Sequence, residues 1–123
     1  MTIDQIAAIK AGFFRVLGHP ARVRILEILR DGDKTVGELQ VLLELDSSST
    51  SQHLAALKAQ GIVESTRHGT RVHYTARDPR VFQLLEVARI IIVSQLDETR
   101  ALLEELSTPE ALPTSNAENG PPR

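Results

Sequence analysis

Residues 47–60 read SSSTSQHLAALKAQ, and the way this run folds decides what the rest of the chain can be. Its first five residues, Ser47 to Ser51, all carry hydroxyls, which compete for backbone donors and so favour helix starts over helix interiors. With Ser47 or Ser48 as N-cap, the spacing predicts a helix that continues to Gln60 and stops at Gly61, the residue type preferred just past a helix end. Leu54 and Leu57 then face inward, three residues apart on one side. Ser48, Ser49, Ser51 and Gln52 occupy the opposite face, where small or planar polar groups let the backbone approach another surface closely.

Upstream of this run, Ile6, Ile9, Phe13, Phe14 and Leu17 recur at three- and four-residue steps, predicting a first helix from Asp4 to Leu17. Gly18-His19-Pro20 breaks it. Pro20 suits the first position of a second helix, whose apolar positions are Val23, Ile25, Leu26, Ile28 and Leu29 and which ends near Asp31-Gly32. Thr35 with Glu38 three residues later has the capping-box pattern. A short third helix from Val36 to about Leu43 is expected to bury Leu39, Leu42 and Leu43.

Downstream the periodicity changes. IVESTR and RVHYTA flank His68-Gly69-Thr70, predicting a β-hairpin with glycine where a positive φ is needed. Pairing Val63 with Ala76 and Arg67 with Val72 puts Val63, Val72, Tyr74 and Ala76 on one face and His68, Arg71 and His73 on the other. Asp78-Pro79 opens a last helix reaching about Leu106, with Phe82, Leu85, Ile90, Ile92, Val93, Leu96 and Leu103 as its large apolar residues. Four in a row, Ile90 to Val93, cover more than one face, so a second subunit is the simplest cover for them.

Composition narrows the function classes. The 123 residues are 41% hydrophobic and 24% charged, as expected of one globular domain, here residues 1–106. Residues 107–123 hold four of the six prolines and few large apolar side chains, which predicts a flexible tail. The absence of cysteine excludes disulfides, thiolate metal sites and cysteine nucleophiles. The N-terminus has no long apolar run, so a cytosolic protein is expected. A net charge of −2 argues against a nucleic-acid partner only until the charges are located. Ser47 to Arg77 carries four cations (Lys58, Arg67, Arg71, Arg77), one anion (Glu64) and three of the four histidines, whereas Asp97 to Arg123 carries six anions and two cations. The middle of the chain is basic and its end acidic.

The predicted order is helix, helix, short helix, polar-faced helix, basic hairpin, long helix. That describes a mainly α fold with a small β-hairpin, a winged helix-turn-helix, in which one helix enters the DNA major groove and the hairpin touches the flanking backbone. The stretches LGHPARVRILEIL, SQHLAALKAQGIV and RHGTRVHYTARDP resemble the signatures of the arsenic-repressor-like (ArsR) family of bacterial dimeric transcription regulators. The resemblance spans Leu17 to Pro79 and implies a homodimeric repressor on double-stranded operator DNA, with 47–60 as recognition helix and 67–71 as wing. The long helices on either side match the family's dimerisation elements, which implies Phe13, Phe14, Phe82, Leu85, Ile92, Leu96 and Leu103 at the dimer interface.

The chemistry of the residues points the same way. Ser49, Ser51 and Gln52 can reach base edges or phosphates, and glutamine can pair with adenine through two bonds. Ser48 lies beside them, and His53 can reach a phosphate or pack between helices. Arg67, His68 and Arg71 flank the hairpin turn, where a cation neutralises a phosphate or enters the minor groove. Thr35 and Ser47 sit at helix starts, whose free N–H groups attract phosphate.

The resemblance also implies a metal switch, and there the chain departs from the pattern. The thiolate position reads ELQVLLE at Glu38 to Glu44, without cysteine, and Asp78 to Leu106 lacks the histidine of the family's other common site. Any remaining site would draw on His19, His53, His68, His73 or on Asp4, Glu86, Asp97 and Glu98, and such nitrogen and oxygen ligands suit nickel or zinc. An enzyme is not expected: serines near His53 are explained by capping, and no phosphate loop or paired-carboxylate motif is present. The alternative reading is a winged-helix interaction module that binds DNA or senses metal only with a second regulatory protein.

Overall fold

The structure, a computed structural model, describes residues 1–108; the tail expected at 107–123 lies outside the described residues except for Ser107 and Thr108. Contacts group the chain into two compact units, Met1–Gln83 and the stretch from Leu84 onward. Elements follow in the order α1 (Ile3–Leu17), α2 (Pro20–Leu29), β1 (Lys34–Thr35), α3 (Val36–Leu43), α4 (Ser47–Ala59), β2 (Val63–His68), β3 (Arg71–Ala76) and α5 (Arg80–Ser107).

Local chemistry explains most of these boundaries. The Thr2 Oγ1 accepts from the Gln5 N–H at 3.1 Å and the Gln5 side chain accepts from the Thr2 N–H at 2.7 Å, a reciprocal cap that starts α1 one residue earlier than Asp4. Pro20 opens α2 as expected, with His19 as its N-cap. Thr35 and Glu38 close the anticipated capping box on α3. The α4 cap corrects the sequence reading. It is Asp46, not Ser47 or Ser48, because a carboxylate oxygen accepts from the Ser49 N–H at 2.6 Å.

The core of the first unit is aliphatic. Ile25, Leu26 and Leu29 of α2 meet Leu39 of α3, Leu54 and Leu57 of α4, and Ile62 and Val63 at the start of the hairpin. Burying each such side chain is worth about 1.5–3 kcal/mol, so these residues fix how the helices lie against one another. Thr50 is fully buried too, its hydroxyl donating to the Asp46 carbonyl at 2.9 Å; among the five hydroxyls it alone turns wholly inward. Leu42 was expected in the core but is 49% exposed. An eight-residue helix packs along one narrow line, here Leu39 and the half-buried Leu43 four residues on, which leaves Leu42 to the side.

The sheet has a strand that periodicity did not reveal. β1 is only Lys34 and Thr35, pairing with Tyr74 and His73, and the sheet order is β1-β3-β2, all antiparallel. The hairpin register is the anticipated one, Val63 opposite Ala76 and Arg67 opposite Val72. Gly69 has φ +65°, and Thr70 completes a two-residue turn between the paired His68 and Arg71.

Candidate nucleic-acid interface

The buried stripe of α4 sets its outer face. Thr50, Leu54 and Leu57 bury one side, spaced by four and three residues. That leaves Ser47, Ser48, Ser51 and Gln52 exposed, with Ser49 and His53 half-buried at the margins. The first three exposed side chains are hydroxyls and the fourth is a planar amide, so the face bears donors and acceptors without bulk. Lys58, at the far end, donates to the Ser65 hydroxyl at 2.8 Å and so ties α4 to β2.

The hairpin contributes cations. Arg67, His68 and Arg71 are exposed at its tip, and among the described residues neither arginine side chain has an ion-pair or hydrogen-bond partner. The register puts Arg67 on the face of Val72 and Arg71 on the face of His68 and His73, so the turn carries a guanidinium on each side. His68 and His73 touch edge-to-face with centroids 4.9 Å apart. His73 Nδ1 lies 3.3 Å from an Asp33 carboxylate oxygen, close enough for an ion pair on protonation, yet not aligned for a hydrogen bond.

The helix starts are less open to phosphate than their sequence suggested. The Thr35 hydroxyl is held in its capping box, and the Glu38 carboxylate that completes the box accepts from the Thr35 N–H at 2.8 Å. That bond holds the Glu38 carboxyl below its ordinary pKa, so the group is ionised. At α4 the Asp46 carboxylate takes the place an anion would take, and the Ser49 N–H lowers its pKa in the same way. Ser47 and Thr35 therefore share their helix starts with fixed negative charges.

His53 turns toward α2. Its Nδ1 accepts from the Arg22 Nε–H at 3.2 Å, and its ring sits against that of His19 at a tilt of 48°, centroids 4.4 Å apart. Burial lowers the pKa of His53 first, and the nearby His19 and Arg22 lower it further. Sequence reasoning passed over Arg22, whose only sign was an arginine two residues after Pro20, and Asp46, an aspartate directly before the hydroxyl run.

The residues expected to join two subunits expose much apolar surface. In the first unit Phe13 and Phe14 meet edge-to-face at 5.6 Å, with Phe14 54% exposed, and Phe82 is half-buried. In the second unit Leu85 is half-buried, while Ile92, Leu96 and Leu103 are each more than half exposed.

A family model for bacterial regulatory proteins of the arsR family matches residues 19–65, from the cap of α2 into β2. The HTH-type transcriptional regulator Rv0081 of Mycobacterium tuberculosis, itself uncharacterized, is 40% identical over 107 residues, covering 86% of this chain and 94% of that protein. The chain belongs to the arsR family of bacterial regulatory proteins. Rv0081's crystal structure matches with a TM-score of 0.72, covering 76% of this chain and 95% of that one. The homodimeric winged helix-turn-helix DNA-binding domain of a possible ArsR-family regulator from Mycobacterium bovis matches with a TM-score of 0.70 at 26% identity, covering 76% of this chain and 86% of that one. A probable mercury resistance operon repressor of Streptomyces lividans is 33% identical over 81 residues, covering 66% of this chain and 65% of that protein. The fold of this arsR-family chain is thus a winged helix-turn-helix, mainly α with a small three-stranded sheet.

In this arsR-family chain the histidines come together as pairs, His19 with His53 and His68 with His73. Among the described residues, no group of three or more His, Asp or Glu side chains gathers as a metal site would. Of the carboxylates considered as ligands, Glu86 is engaged by Arg89 at 2.6 Å. No helix among the described residues is long and apolar enough to cross a membrane.

Proposed function

We propose that the protein is a sequence-specific DNA-binding transcription regulator that acts as a homodimer in the bacterial cytoplasm, as a repressor and not an enzyme. The outer face of α4 carries this reading: Ser48, Ser51 and Gln52 stand exposed opposite buried Thr50, Leu54 and Leu57. Such a face fits the major groove, where Gln52 can pair with adenine and the serines with base edges or phosphates. The unpartnered Arg67 and Arg71 suit the flanking backbone or minor groove, with His68 beside them. Two copies joined through the apolar residues of α1 and α5 would present two such helices to one operator. The homodimeric state of the Mycobacterium bovis domain supports the pairing, and the Streptomyces lividans repressor supports the direction of regulation.

The test uses a duplex recovered by passing the full-length chain over a random-sequence DNA library, with a scrambled duplex as reference. Gln52→Ala should shrink the preference for the recovered duplex by about 1–3 kcal/mol and leave the scrambled one nearly unaffected. Arg71→Ala should weaken both alike and reduce the slope of log affinity against log salt by about one. Unchanged affinities in both variants would overturn the assignment. Binding that appears only after a second protein is added would favour the interaction-module reading.

A further inference from the structure

Arg22 is a half-buried cation that, among the described residues, has no carboxylate partner within ion-pair distance. Its guanidinium instead spans three helices. From α2, its Nη1 donates to the Val16 carbonyl in the last turn of α1 at 3.3 Å, and its Nε donates to His53 Nδ1 on α4 at 3.2 Å. His53 follows Gln52 directly, so whatever turns one turns the other. The buried Thr50, Leu54 and Leu57 settle which side of α4 faces inward, but apolar contacts are non-directional and leave the last few degrees of rotation loosely held. The directional bond from the Arg22 Nε–H to His53 narrows that remaining range.

The second half of the cluster depends on protonation. His19 Nδ1 accepts from the Ala21 N–H at 3.1 Å, capping α2, and the His19 ring lies 4.4 Å from the His53 ring. An imidazolium has no free lone pair, so both acceptor bonds exist only while the two rings are neutral at Nδ1.

We propose that Arg22 is a positioning residue that sets the rotation of α4 through His53, and that acid releases this clamp by protonating His53, so that DNA discrimination falls with pH. This rests on the reading of α4 as the DNA-reading helix. Protonated His53 would lose the Arg22 bond and place its charge beside a guanidinium. Among the described residues, the ionisable groups acting on His53 are Arg22 and His19, both from α2 and its cap; α1, α3 and β2, which also pack on α4, add none there. With no carboxylate to hold the proton, the neutral ring is favoured, in line with its lowered pKa. The sign follows. The unfolded chain binds this proton near the ordinary value of 6.5 and the folded chain only below it, so the stabilising contact is complete above that value and is lost as pH falls through the folded value.

Two measurements on the full-length protein test the clamp. The first is the ratio of affinities for the library-selected and scrambled duplexes, because protonating any histidine adds charge that attracts all DNA alike and cancels in the ratio. As pH falls from about 7.5 to below the His53 midpoint found by NMR titration, the wild-type ratio should fall roughly tenfold. His53→Asn keeps an acceptor at the δ position but cannot titrate, so its ratio should be flat over that range. A wild-type ratio that is flat, or one that falls equally in His53→Asn, would overturn the proposal. The second is NMR titration of the His53 imidazole in the DNA-free protein. It should show the Nε2–H tautomer and a midpoint below 6.5 that rises in Arg22→Leu, with helicity by circular dichroism confirming the fold. An unmoved midpoint overturns the clamp by itself. A library that returns no preferred duplex would instead sink the DNA reading, and the imidazole titration would then decide the clamp alone.

Discussion

At the start of α4 the Asp46 carboxylate accepts from the Ser49 N–H at 2.6 Å, which satisfies a backbone donor and places a negative charge at the positive end of the helix. Its pKa is lowered by that bond, so the native state prefers it ionised. The stabilisation is present above the ordinary aspartate value of 3.8 and is lost as pH falls through the lowered native value. Thermal melts of Asp46→Ala should show a lower Tm than wild type at about pH 7 and converge with it as pH falls through the lowered native value, while Asp46→Asn, an equally good cap that cannot titrate, should match wild type at about pH 7 and exceed it at the acid end. A gap between Asp46→Ala and wild type that is independent of pH would contradict this. At this scale the sequence was partly legible. That α4 begins beside the hydroxyl run was clear, but the run offers several potential caps in succession, and only the backbone path selects Asp46. Contacts between distant residues were not legible at all: nothing in the spacing of Arg22 and His53, 31 positions apart, announces that they bond.

The element scale was clearer, because amphipathic spacing and turn chemistry are local. The hairpin register followed from Gly69 and the alternation on either side of it, α2 and α3 from caps and leucine spacing, and α4 from the leucine spacing after its hydroxyl run. β1 escaped because two residues have no periodicity to read, and Leu42 because a helix of two turns can satisfy its packing with fewer leucines than it carries. Between α3 and α4 the chain turns sharply at Glu44, the one non-glycine among the described residues with positive φ, at +56°. Its N–H caps α3 by bonding to the Gln40 and Val41 carbonyls. A side chain in this left-handed conformation costs on the order of 1 kcal/mol, and glycine removes the cost. Glu44→Gly should therefore raise the unfolding free energy by about 0.5–1 kcal/mol in denaturant melts, net of the extra freedom it gives the unfolded chain. A loss of stability would show that the Glu44 side chain itself stabilises the turn.

For the whole molecule, the question is how a chain of net charge −2 can read DNA. Charge is unevenly placed: the wing presents Arg67 and Arg71 to solvent, while acidic residues gather from Asp97 onward. A local field of this kind attracts phosphate whatever the total. The second requirement is a partner copy. Ile90, Ile91, Ile92 and Val93 of α5 are each at least 40% exposed, more apolar surface in one stretch than a solitary chain leaves to water. Symmetry then makes the prediction geometric, because two identical α4 helices read a two-fold sequence with half-sites about 10 base pairs, or a multiple of that, apart. The most direct test is sedimentation of the full-length protein on its library-selected duplex, with the selected sequence read alongside. The account predicts two chains per duplex and an inverted repeat at that spacing. A single chain per duplex, or a selected sequence without two-fold symmetry, would contradict it.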